Sequence, residues 1–518
     1  MNIQKIFTAT LVGINAALVE VEADVSNGLP TTIIVGLPDV AVQESRERVR
    51  SAIKHSGLKY PQTRVSLNLA PGNLPKVGTH FDLPIAVAIL LANGLVLGNK
   101  NGVKQRERSE QLKRSLFVGE LSLDGKVRSS TGVLAMVQKA KENGLDVVYV
   151  PEDNASMANL VKNITVYPVS SLEQLLLHLV GDVLIDSFES VSGSKQMNNK
   201  VANTQSVDSK CDFAFIAGQQ HAKRALEISA SGGHNILLTG PPGSGKTMLA
   251  KALPSILPPL VNEEILELTK IYNSSGYLQS GLITKRPVRS PHHTTSSIAL
   301  IGGGGVPRPG EVTLAHLGVL FLDEFPEFSR TVLEVLRQPL EENTITITRA
   351  RNSYTFPASF ILVAAQNPCP CGNYGEPELE CKCSVLNIER YKKKVSGPLL
   401  DRIDLHIKVP RLEYKEIMKS ELSESSSKVA QRVKKARHIQ IQRFGRPKMN
   451  HEMSPEELKM FCELSEECSA LLELAVNKYH LSGRSIHRIL KVARTIADLD
   501  ESAKIQSNHI AEAMQYRL

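Results

Sequence analysis

The segment from Gly240 to Thr247 constrains this chain more than any other part of its sequence. It reads GPPGSGKT, a full G-x-x-x-x-G-K-T pattern, after the apolar run Ile236–Leu238 and before a helix-like segment. In the order strand, loop, helix, glycines let backbone N–H groups point at phosphate oxygens, and the helix N-terminus adds partial positive charge. The sequence therefore predicts a nucleotide-binding α/β domain in which Lys246 reaches the β- and γ-phosphates and Thr247 binds Mg²⁺.

Two further apolar runs end in polar residues that suit the same chemistry. Val319–Leu322 is followed by Asp323, which suits the Mg²⁺ shell, and by Glu324, which could orient and deprotonate the attacking water. A later strand-like run ends at Asn367, whose amide could position that water. Alone, these would be a solvent-exposed strand end and a turn residue, but the phosphate loop favours the catalytic interpretation. The predicted nucleotide-binding residues are Gly240, Pro241, Pro242, Gly243, Ser244, Gly245, Lys246, Thr247 and Asp323.

The length of 518 residues allows three to four domains at roughly 150 residues each. Strand-like and helix-like runs alternate up to about residue 180, and residues 99–115 within them read as a solvated polar excursion. A Ser-, Asn- and Gln-rich stretch typical of a flexible linker follows. We therefore predict an N-terminal α/β domain over 1–185, a linker over 186–210, an ATPase core over 211–410 and a helical domain over 411–518.

The apolar and cysteine patterns bear on the compartment. The longest apolar stretch, Ile85–Ala92, is far shorter than the ~20 residues that span a bilayer, so we expect no membrane segment. The chain has 7 cysteines, an odd number, and no secretion signal is recognised. This pattern favours a reducing compartment, and we expect a cytoplasmic protein.

Four of the cysteines are grouped within one loop. Their spacing is C-x-C, nine residues, C-x-C, and glycines and a proline lie between the pairs. Four thiolates on two turns could enclose Zn²⁺ tetrahedrally, although the spacing is tighter than the usual C-x-x-C, and reduced free thiols are the alternative. The candidate zinc ligands are Cys369, Cys371, Cys381 and Cys383.

The net charge of +8 is concentrated in a few segments. Lys285–Val312 is basic around a glycine run, Glu342–Pro357 reads as two strand-like arms joined by Arg-Ala-Arg, and 425–450 reads as a basic amphipathic helix. Such segments could grip a phosphate backbone without reading sequence, although solvated hairpin tips are the alternative. Trp is absent, which argues against a base-stacking platform. The DNA-binding candidates are Arg289, His292, His293, Arg349, Arg351, Arg432 and Lys435.

The phosphate loop, the acidic strand, the asparagine-ended strand and the segment 397–405 together resemble the AAA+ ATPase module of the magnesium-chelatase and MCM-helicase branch. Within that branch the chain is similar to the ComM/YifB family over essentially its whole length. The segments that carry this resemblance are 218–226, 289–294, 367–372 and 482–488.

The family resemblance implies further roles. Arg402 is similar to an arginine finger that acts on ATP held by a neighbouring subunit, and Arg484 is similar to the sensor arginine of a helical lid. A surface ion pair is the alternative for each. An arginine finger in trans requires an oligomer, and the resemblance implies a hexameric ring with the basic hairpins facing its pore.

The N-terminal domain resembles the Lon-like branch of the ribosomal-protein S5 domain 2 fold, through segments 76–82 and 119–125. Lon proteases use a Ser-Lys dyad, but here His80 and Leu134 stand at the matching positions, so we expect no peptidase activity. His80 lies close to Asp82, which would suit either acid–base chemistry or a structural histidine.

The resemblance implies an ATP-driven DNA translocase that promotes branch migration of recombination intermediates during natural transformation. A motor subunit that drives Mg²⁺ insertion into a tetrapyrrole is the alternative, and a scaffold without enzymatic activity is disfavoured by the complete catalytic set. The expected ligands are ATP and Mg²⁺, and the expected partners are DNA and further copies of the chain.

Overall fold

The computed structural model describes residues 4–95, 97, 105–188, 212–278, 281–304, 307–349, 352–376, 380–412 and 423–517. Arg351 and most of the predicted linker 186–210 lie outside this description. The chain divides into two compact units, and each is considered separately below. Unit 1 comprises Met1–Ala202 with Asn262–Ile283, and unit 2 comprises Asn203–Val261 with Thr284–Leu518.

The strands that the structure describes are named in chain order. They are β1 (Gln4–Val12), β2 (Asn15–Ser26), β3 (Thr32–Val35), β4 (Arg64–Ala70), β5 (Ser115–Phe117), β6 (Glu120–Leu121), β7 (Val127–Arg128), β8 (Val147–Pro151), β9 (Thr165–Val169), β10 (Ile236–Thr239), β11 (Val288–Arg289), β12 (Gly302–Gly303), β13 (Arg308–Pro309), β14 (Val319–Leu322), β15 (Thr344–Arg349), β16 (Asn352–Pro357), β17 (Ile361–Gln366) and β18 (Leu405–Lys408).

The α-helices of the described residues are named in the same way. They are α1 (Val40–His55), α2 (Asp82–Ala92), α3 (Gln105–Lys113), α4 (Val133–Glu142), α5 (Glu152–Ala158), α6 (Leu172–Val180), α7 (Gln220–Gly232), α8 (Lys246–Ala252), α9 (Asn262–Ser274), α10 (Ser297–Ile301), α11 (Glu311–Leu314), α12 (Arg330–Val335), α13 (Arg337–Glu342), α14 (Val385–Lys392), α15 (Gly397–Leu400), α16 (Ser426–Phe444), α17 (Pro455–Phe461), α18 (Glu466–Tyr479), α19 (Gly483–Leu499) and α20 (Ser507–Gln515).

Unit 1 is built on a mixed sheet of seven strands in the order β3-β4-β2-β1-β5-β8-β9. The pairs β1·β2 and β2·β4 are antiparallel, whereas β5, β8 and β9 continue from β1 in parallel. Helix α2 is buried from Asp82 through Leu91 and belongs to the core. Its 11 residues extend only about 16 Å, so the longest apolar run of the chain is a core helix. Among the described residues, no helix combines the length and apolar character needed to cross a membrane.

Two segments of unit 1 differ from the sequence-based expectation. The segment 99–115 is predicted to be solvated, but Gln105–Lys113 within it forms α3, which buries Leu112 and Arg108. The segment Asn262–Ile283 lies within the predicted ATPase core 211–410, yet it packs in unit 1. There Asn273 Oδ1 accepts a 3.3 Å hydrogen bond from the backbone N–H of Leu134. These placements depend on tertiary contacts that polar composition does not reveal.

Unit 2 contains a parallel five-stranded sheet in the order β11-β14-β17-β10-β18. Successive residues of its central strands enter two different hydrophobic clusters, one on each face, because side chains alternate along a strand. In β10, for example, Ile236 and Leu238 face one cluster and Leu237 faces the other. Because β10 and β14 each pair in parallel with β17, the carboxyl ends of the three strands meet at one edge, where the phosphate loop begins.

The C-terminal part of unit 2 is helical, as predicted. Helices α16 and α19 place Val433, Ile489, Ala493 and Ile496 in the cluster that also covers β10. Helix α19 begins after Ser482, whose Oγ accepts a hydrogen bond from the backbone N–H of Ser485, the usual N-cap arrangement. The amphipathic pattern of this region is thus buried against the sheet face.

Two β-hairpins project from unit 2 at the predicted basic segments. β15 and β16 pair antiparallel from Thr344↔Pro357 to Arg349↔Asn352, which confirms the two predicted arms. β12 and β13 form a shorter pair within Lys285–Val312. The backbone of Arg349 ends β15, and the connection through Arg351 is outside the described residues.

Candidate active site

The phosphate loop has the backbone geometry that its glycines predict. Gly243 and Gly245 have φ values of +77° and +92°, in the left-handed region that glycine adopts without strain. At Gly240, a Cβ atom would lie 2.1 Å from the backbone oxygen of Val409, so a larger residue would push the loop away from the end of β18. Gly243 and Gly245 therefore allow the loop to curl, and Gly240 allows it to approach the end of β18 closely.

Lys246 is buried at the start of α8, and its side chain turns back into the loop. Its Nζ donates hydrogen bonds to the backbone oxygens of Gly240 (2.7 Å) and Pro241 (2.8 Å), and it lies 3.3 Å from Asn367 Oδ1. Burial lowers the pKa of Lys246, which the charge of Asp323 partly opposes. A buried ammonium beside a curled loop is suited to exchange these carbonyl contacts for phosphate oxygens.

Thr247 and Asp323 make the contact expected of a magnesium site. Thr247 Oγ1 donates a 3.0 Å hydrogen bond to Asp323 Oδ2, although the two residues lie on α8 and at the end of β14. Hydroxyl and carboxylate oxygens are the ligands that Mg²⁺ prefers beside phosphate. The residues present therefore fit Mg²⁺, with Glu324 next to Asp323 and its side chain 57% exposed.

A cavity of about 690 Å³ opens above the phosphate loop. Its lining includes residues 242–247 of the loop, the acidic pair and Asn367, together with residues that the sequence did not predict to lie there. These further lining residues are Ser290, Pro291, His292, His293 and Met248. The two histidines were predicted to contact DNA, but the structure brings them to the nucleotide cavity, where His293 Nδ1 lies 3.1 Å from Glu324 Oε2.

The four candidate zinc ligands come together. Their ligand atoms all lie within 4.8 Å of one another, and the Sγ atoms of Cys369, Cys371 and Cys381 are 3.4 to 3.7 Å apart. In a tetrahedral site with Zn–S bonds of ~2.3 Å, the sulfur atoms are separated by about 3.8 Å. The donor set therefore fits Zn²⁺.

The cysteine cluster is joined to the nucleotide site. Cys369 follows Asn367 by two residues, and Gly372 lies so close to the phosphate loop that a Cβ atom there would be 2.4 Å from Pro242 Cδ. Gly372 has a φ of +85°, so the turn requires glycine for its backbone as well. A change at the cluster is expected to reach the loop and Asn367 directly.

The two predicted arginines lie in different environments, and neither is among the residues that line the cavity. Arg402 is buried, pairs with Glu341 and donates a 2.5 Å hydrogen bond to the Pro398 backbone oxygen. Arg484 is exposed near the start of α19.

Arg488 makes a buried ion pair that sequence reasoning did not single out. It pairs with Asp404, which is 6% exposed and also lies 3.2 Å from His234 Nδ1. Burial favours the neutral form of Asp404, but Arg488 and His234 hold its pKa well below the usual range. Helix α19 is thereby tied to the residue that precedes β18.

Several predicted DNA contacts are occupied by partners within the chain. Arg289 makes two hydrogen bonds to Glu311, of 2.6 and 2.7 Å. Arg432 pairs with Glu227 and Glu424, and Lys435 Nζ lies 2.8 Å from Glu501. These carboxylates come from other elements, so the absence of acidic residues in 425–450 did not reveal them, and they reduce the positive charge that α16 presents.

The phosphate loop, the acidic pair on a strand separated from β10 by β17, and the helical C-terminal region define a P-loop ATPase of the AAA+ class. Three family models match: "Magnesium chelatase, subunit ChlI" over residues 212–417, "Subunit ChlI of Mg-chelatase" over 21–154, and "Magnesium chelatase, subunit ChlI C-terminal" over 423–517.

Similarity to two individual proteins extends over the full chain. Competence protein ComM of Haemophilus influenzae is 41% identical, with 100% of this chain and 98% of the relative covered. YifB of Escherichia coli is 39% identical over 100% of this chain and 97% of the relative. Lon protease 2 of Bacillus subtilis is more distant, at 24% identity over 38% of this chain and 40% of the protease. The chain belongs to the ComM/YifB family of magnesium-chelatase-like proteins, and this membership indicates ATP and Mg²⁺ as its ligands.

Proposed function

We propose that this protein hydrolyses ATP to translocate along DNA, and that it promotes branch migration of recombination intermediates in natural transformation. The observation that carries the proposal is the convergence of Lys246, Thr247, Asp323 and Glu324 on one cavity in a chain that is 41% identical to a competence protein over its full length. The proposed setting is a hexameric ring in the cytoplasm, with an N-terminal domain of the S5 domain 2 type.

In the proposed hydrolysis, five of the residues that line the cavity each have a role. Lys246 binds the β- and γ-phosphates, and Thr247 with Asp323 holds Mg²⁺, which neutralises charge that develops on the phosphates. Glu324 accepts a proton from the attacking water, and Asn367, 3.3 Å from Lys246 Nζ, orients the water and the lysine. The contacts between Lys246 and Asn367 and between Thr247 and Asp323 support this division of roles.

A neighbouring subunit is proposed to complete the site. Arg402 would supply the trans guanidinium that stabilises charge on the γ-phosphoryl group, and Arg484 would act from the helical lid. The carboxylate of Glu341, which now binds Arg402, is an anion that a phosphate can replace. Nucleotide-dependent exchange of Arg402 from Glu341 to the neighbour's phosphate would therefore couple hydrolysis to assembly of the ring.

DNA is proposed to contact the hairpins β12–β13 and β15–β16. Arg308 is exposed on β13, and the β15–β16 hairpin carries Arg349 and Arg351 in its sequence. Cations on such hairpins contact phosphates without reading bases, which suits sequence-independent binding. Arg432 and Lys435 remain candidates on α16, but their carboxylate partners must first be displaced.

A magnesium-chelatase motor is the second candidate, because all three matching family models describe a chelatase subunit. A chelatase motor would transmit ATP hydrolysis to a partner that inserts Mg²⁺ into a tetrapyrrole. Full-length similarity to a competence protein favours the DNA activity over this alternative.

The deciding experiment is ATP-dependent strand displacement on synthetic three-way and four-way DNA junctions. The proposal expects displacement and ATPase stimulation by DNA with the wild-type protein, and neither with Lys246→Ala. Lys251→Ala, which changes an exposed lysine on the same helix, is the matched control. ATPase activity without DNA stimulation or displacement would contradict the DNA assignment and favour the chelatase-type motor.

A further inference from the structure

An ion pair joins helix α19 to the segment that carries Arg402. Asp404 lies two residues after Arg402 and is buried. Arg488 of α19 pairs with Asp404 Oδ1, and the other carboxylate oxygen, Oδ2, lies 3.2 Å from His234 Nδ1. A buried carboxylate with a partner at each oxygen has a defined position, because leaving either oxygen without its partner would cost free energy.

The backbone around Arg402 is fixed by Asn235, the residue that precedes β10. Asn235 Nδ2 donates a 3.3 Å hydrogen bond to the backbone oxygen of Arg402, and the Asn235 backbone N–H donates one of 3.3 Å to Asp404 Oδ2. The backbone N–H of Asp404 in turn donates a 3.0 Å hydrogen bond to the backbone oxygen of Asn235. A displacement of the Asp404 carboxylate would therefore be transmitted through Asn235 to the backbone of Arg402.

Helix α19 reaches the Asp404 carboxylate by a second route. Thr495 lies about two turns after Arg488, and its Oγ1 is 2.8 Å from Nε2 of the fully buried His234, whose Nδ1 faces Asp404. Arg484 lies four residues before Arg488, about one helical turn away. The helix that carries Arg484 is thus connected to the segment that carries Arg402 directly and through a histidine.

The position of Arg402 matters outside its own nucleotide site. Among the described residues, those that line the nucleotide cavity do not include Arg402. In the proposed function its guanidinium acts on ATP that a neighbouring subunit holds. An effect of Arg488 on Arg402 would therefore be measured at the neighbour's site.

We propose that Arg488 is a positioning residue for Arg402 and that it acts through Asp404. The ion pair fixes the segment 402–404, so that the guanidinium of Arg402 leaves Glu341 and reaches the γ-phosphoryl group of the neighbour's ATP in one orientation. A movement of α19 then changes the orientation of Arg402, and the helical region of one subunit regulates hydrolysis by the next. This inference rests on the proposed trans role of Arg402.

The test measures steady-state ATP turnover and nucleotide binding in Arg488→Gln and Asp404→Asn, in the absence of DNA. Each variant is expected to lower kcat about 10-fold to 100-fold and to change nucleotide affinity less than about twofold, because Arg402 acts only in the chemical step. Glu227→Gln is the matched control, since it neutralises another buried carboxylate of unit 2, one that pairs with Arg432, and it should retain kcat.

Mixing of variants separates an effect on the neighbour from a general structural defect. Lys246→Ala subunits are expected not to bind ATP but have an intact Arg402 segment, which can serve the ATP of an Arg488→Gln neighbour. Random rings from equal amounts of the two variants place about one quarter of all sites in this combination, so turnover per chain is expected to recover to about a quarter of wild type. A mixture of Arg402→Ala with Lys246→Ala is the reference and should recover to the same level.

Three results would overturn the inference. They are an unchanged kcat in either single variant, loss of nucleotide binding in both, and no recovery of the Arg488→Gln mixture when the Arg402→Ala mixture recovers. Failure of the Arg402→Ala mixture to recover would instead overturn the trans role of Arg402, so the two failures are distinguishable.

Discussion

A histidine and a carboxylate occur together in both units, but the two pairs differ in what surrounds them. In unit 1, His80 and Asp82 are two residues apart, and both are buried. In unit 2, His293 and Glu324 are distant in sequence, face each other at 3.1 Å and border a cavity of about 690 Å³. Nearness in sequence is therefore a poor guide to which histidine and carboxylate face each other in the fold.

In unit 1, His80 and Asp82 form hydrogen bonds with different partners. His80 Nε2 donates a 2.8 Å hydrogen bond to the backbone oxygen of Ala9, and burial lowers the pKa of His80 to about 4. Asp82 binds Arg48 through two hydrogen bonds, of 2.7 and 3.0 Å. The two side chains thus hydrogen-bond to different partners and not to each other. This is the arrangement expected of a structural histidine.

The largest expected effect follows from removing the proposed phosphate-binding lysine of unit 2. Lys246→Ala is expected to abolish nucleotide binding by the whole chain, because the buried ammonium has no substitute in the loop. Binding is measured with a fluorescent ATP analogue, and Lys251→Ala is the control. Residual binding near the wild-type level would mean that nucleotide binds elsewhere in the chain.

Substitution of Arg402, the proposed trans arginine, is expected to give the next largest effect. Arg402→Ala should retain nucleotide binding but lose hydrolysis by about 10³-fold or more, since a trans arginine acts on the transition state. Glu341→Gln removes the carboxylate that holds Arg402 and should retain hydrolysis. The measurement is steady-state ATPase activity at a concentration where the protein is assembled. Retained hydrolysis in Arg402→Ala would contradict the arginine-finger assignment.

Loss of metal from the cysteine cluster is expected to have a smaller effect on turnover. The purified protein should contain one zinc per chain by elemental analysis, and Cys371→Ser/Cys381→Ser should lose it. Because Gly372 packs against Pro242, kcat should fall several-fold and the melting temperature should drop. Cys462→Ala, at a buried cysteine of α17's C-terminal end, is the control. Less than one zinc per chain would remove the zinc assignment.

We expect His80→Gln to leave ATP turnover unchanged. It should, however, change the stability of the folded protein measurably. Because the folded-state pKa of His80 is below its unfolded value of 6.5, the stability that neutral His80 contributes is present above pH 6.5 and is lost as the pH falls toward 4. The loss is about 3 kcal/mol for a shift of this size.

Hydrogen exchange of α2 peptides at pH 7 and pH 4.5 measures this dependence. The wild-type protein should lose more local stability than His80→Gln on acidification, since Asp82 and Arg48 are common to both and their contribution cancels in the difference. An equal loss in the two proteins would show that His80 is not buried in its neutral form, and reduced ATP turnover in His80→Gln would contradict its structural role.

Much of the local structure follows from the sequence. The order of the phosphate loop, the strand before it and the helix after it is encoded within a dozen residues, and the β15–β16 hairpin is encoded by two strand-like runs around a short turn. Helix α3 was missed because polar composition concealed the single large apolar residue, Leu112, that anchors it. Local signals suffice where the chemistry depends on consecutive residues.

Sequence alone determined the phosphate loop, the acidic strand end and the four clustered cysteines, because each is a pattern of near neighbours whose geometry the backbone dictates. Tertiary structure decided the partners: His293 reaches Glu324, Arg402 is held by Glu341, and the cations of α16 meet carboxylates from other elements. The physical reason is that hydrogen bonds and charge pairs act over a few ångströms in space, and only folding brings distant residues within that range.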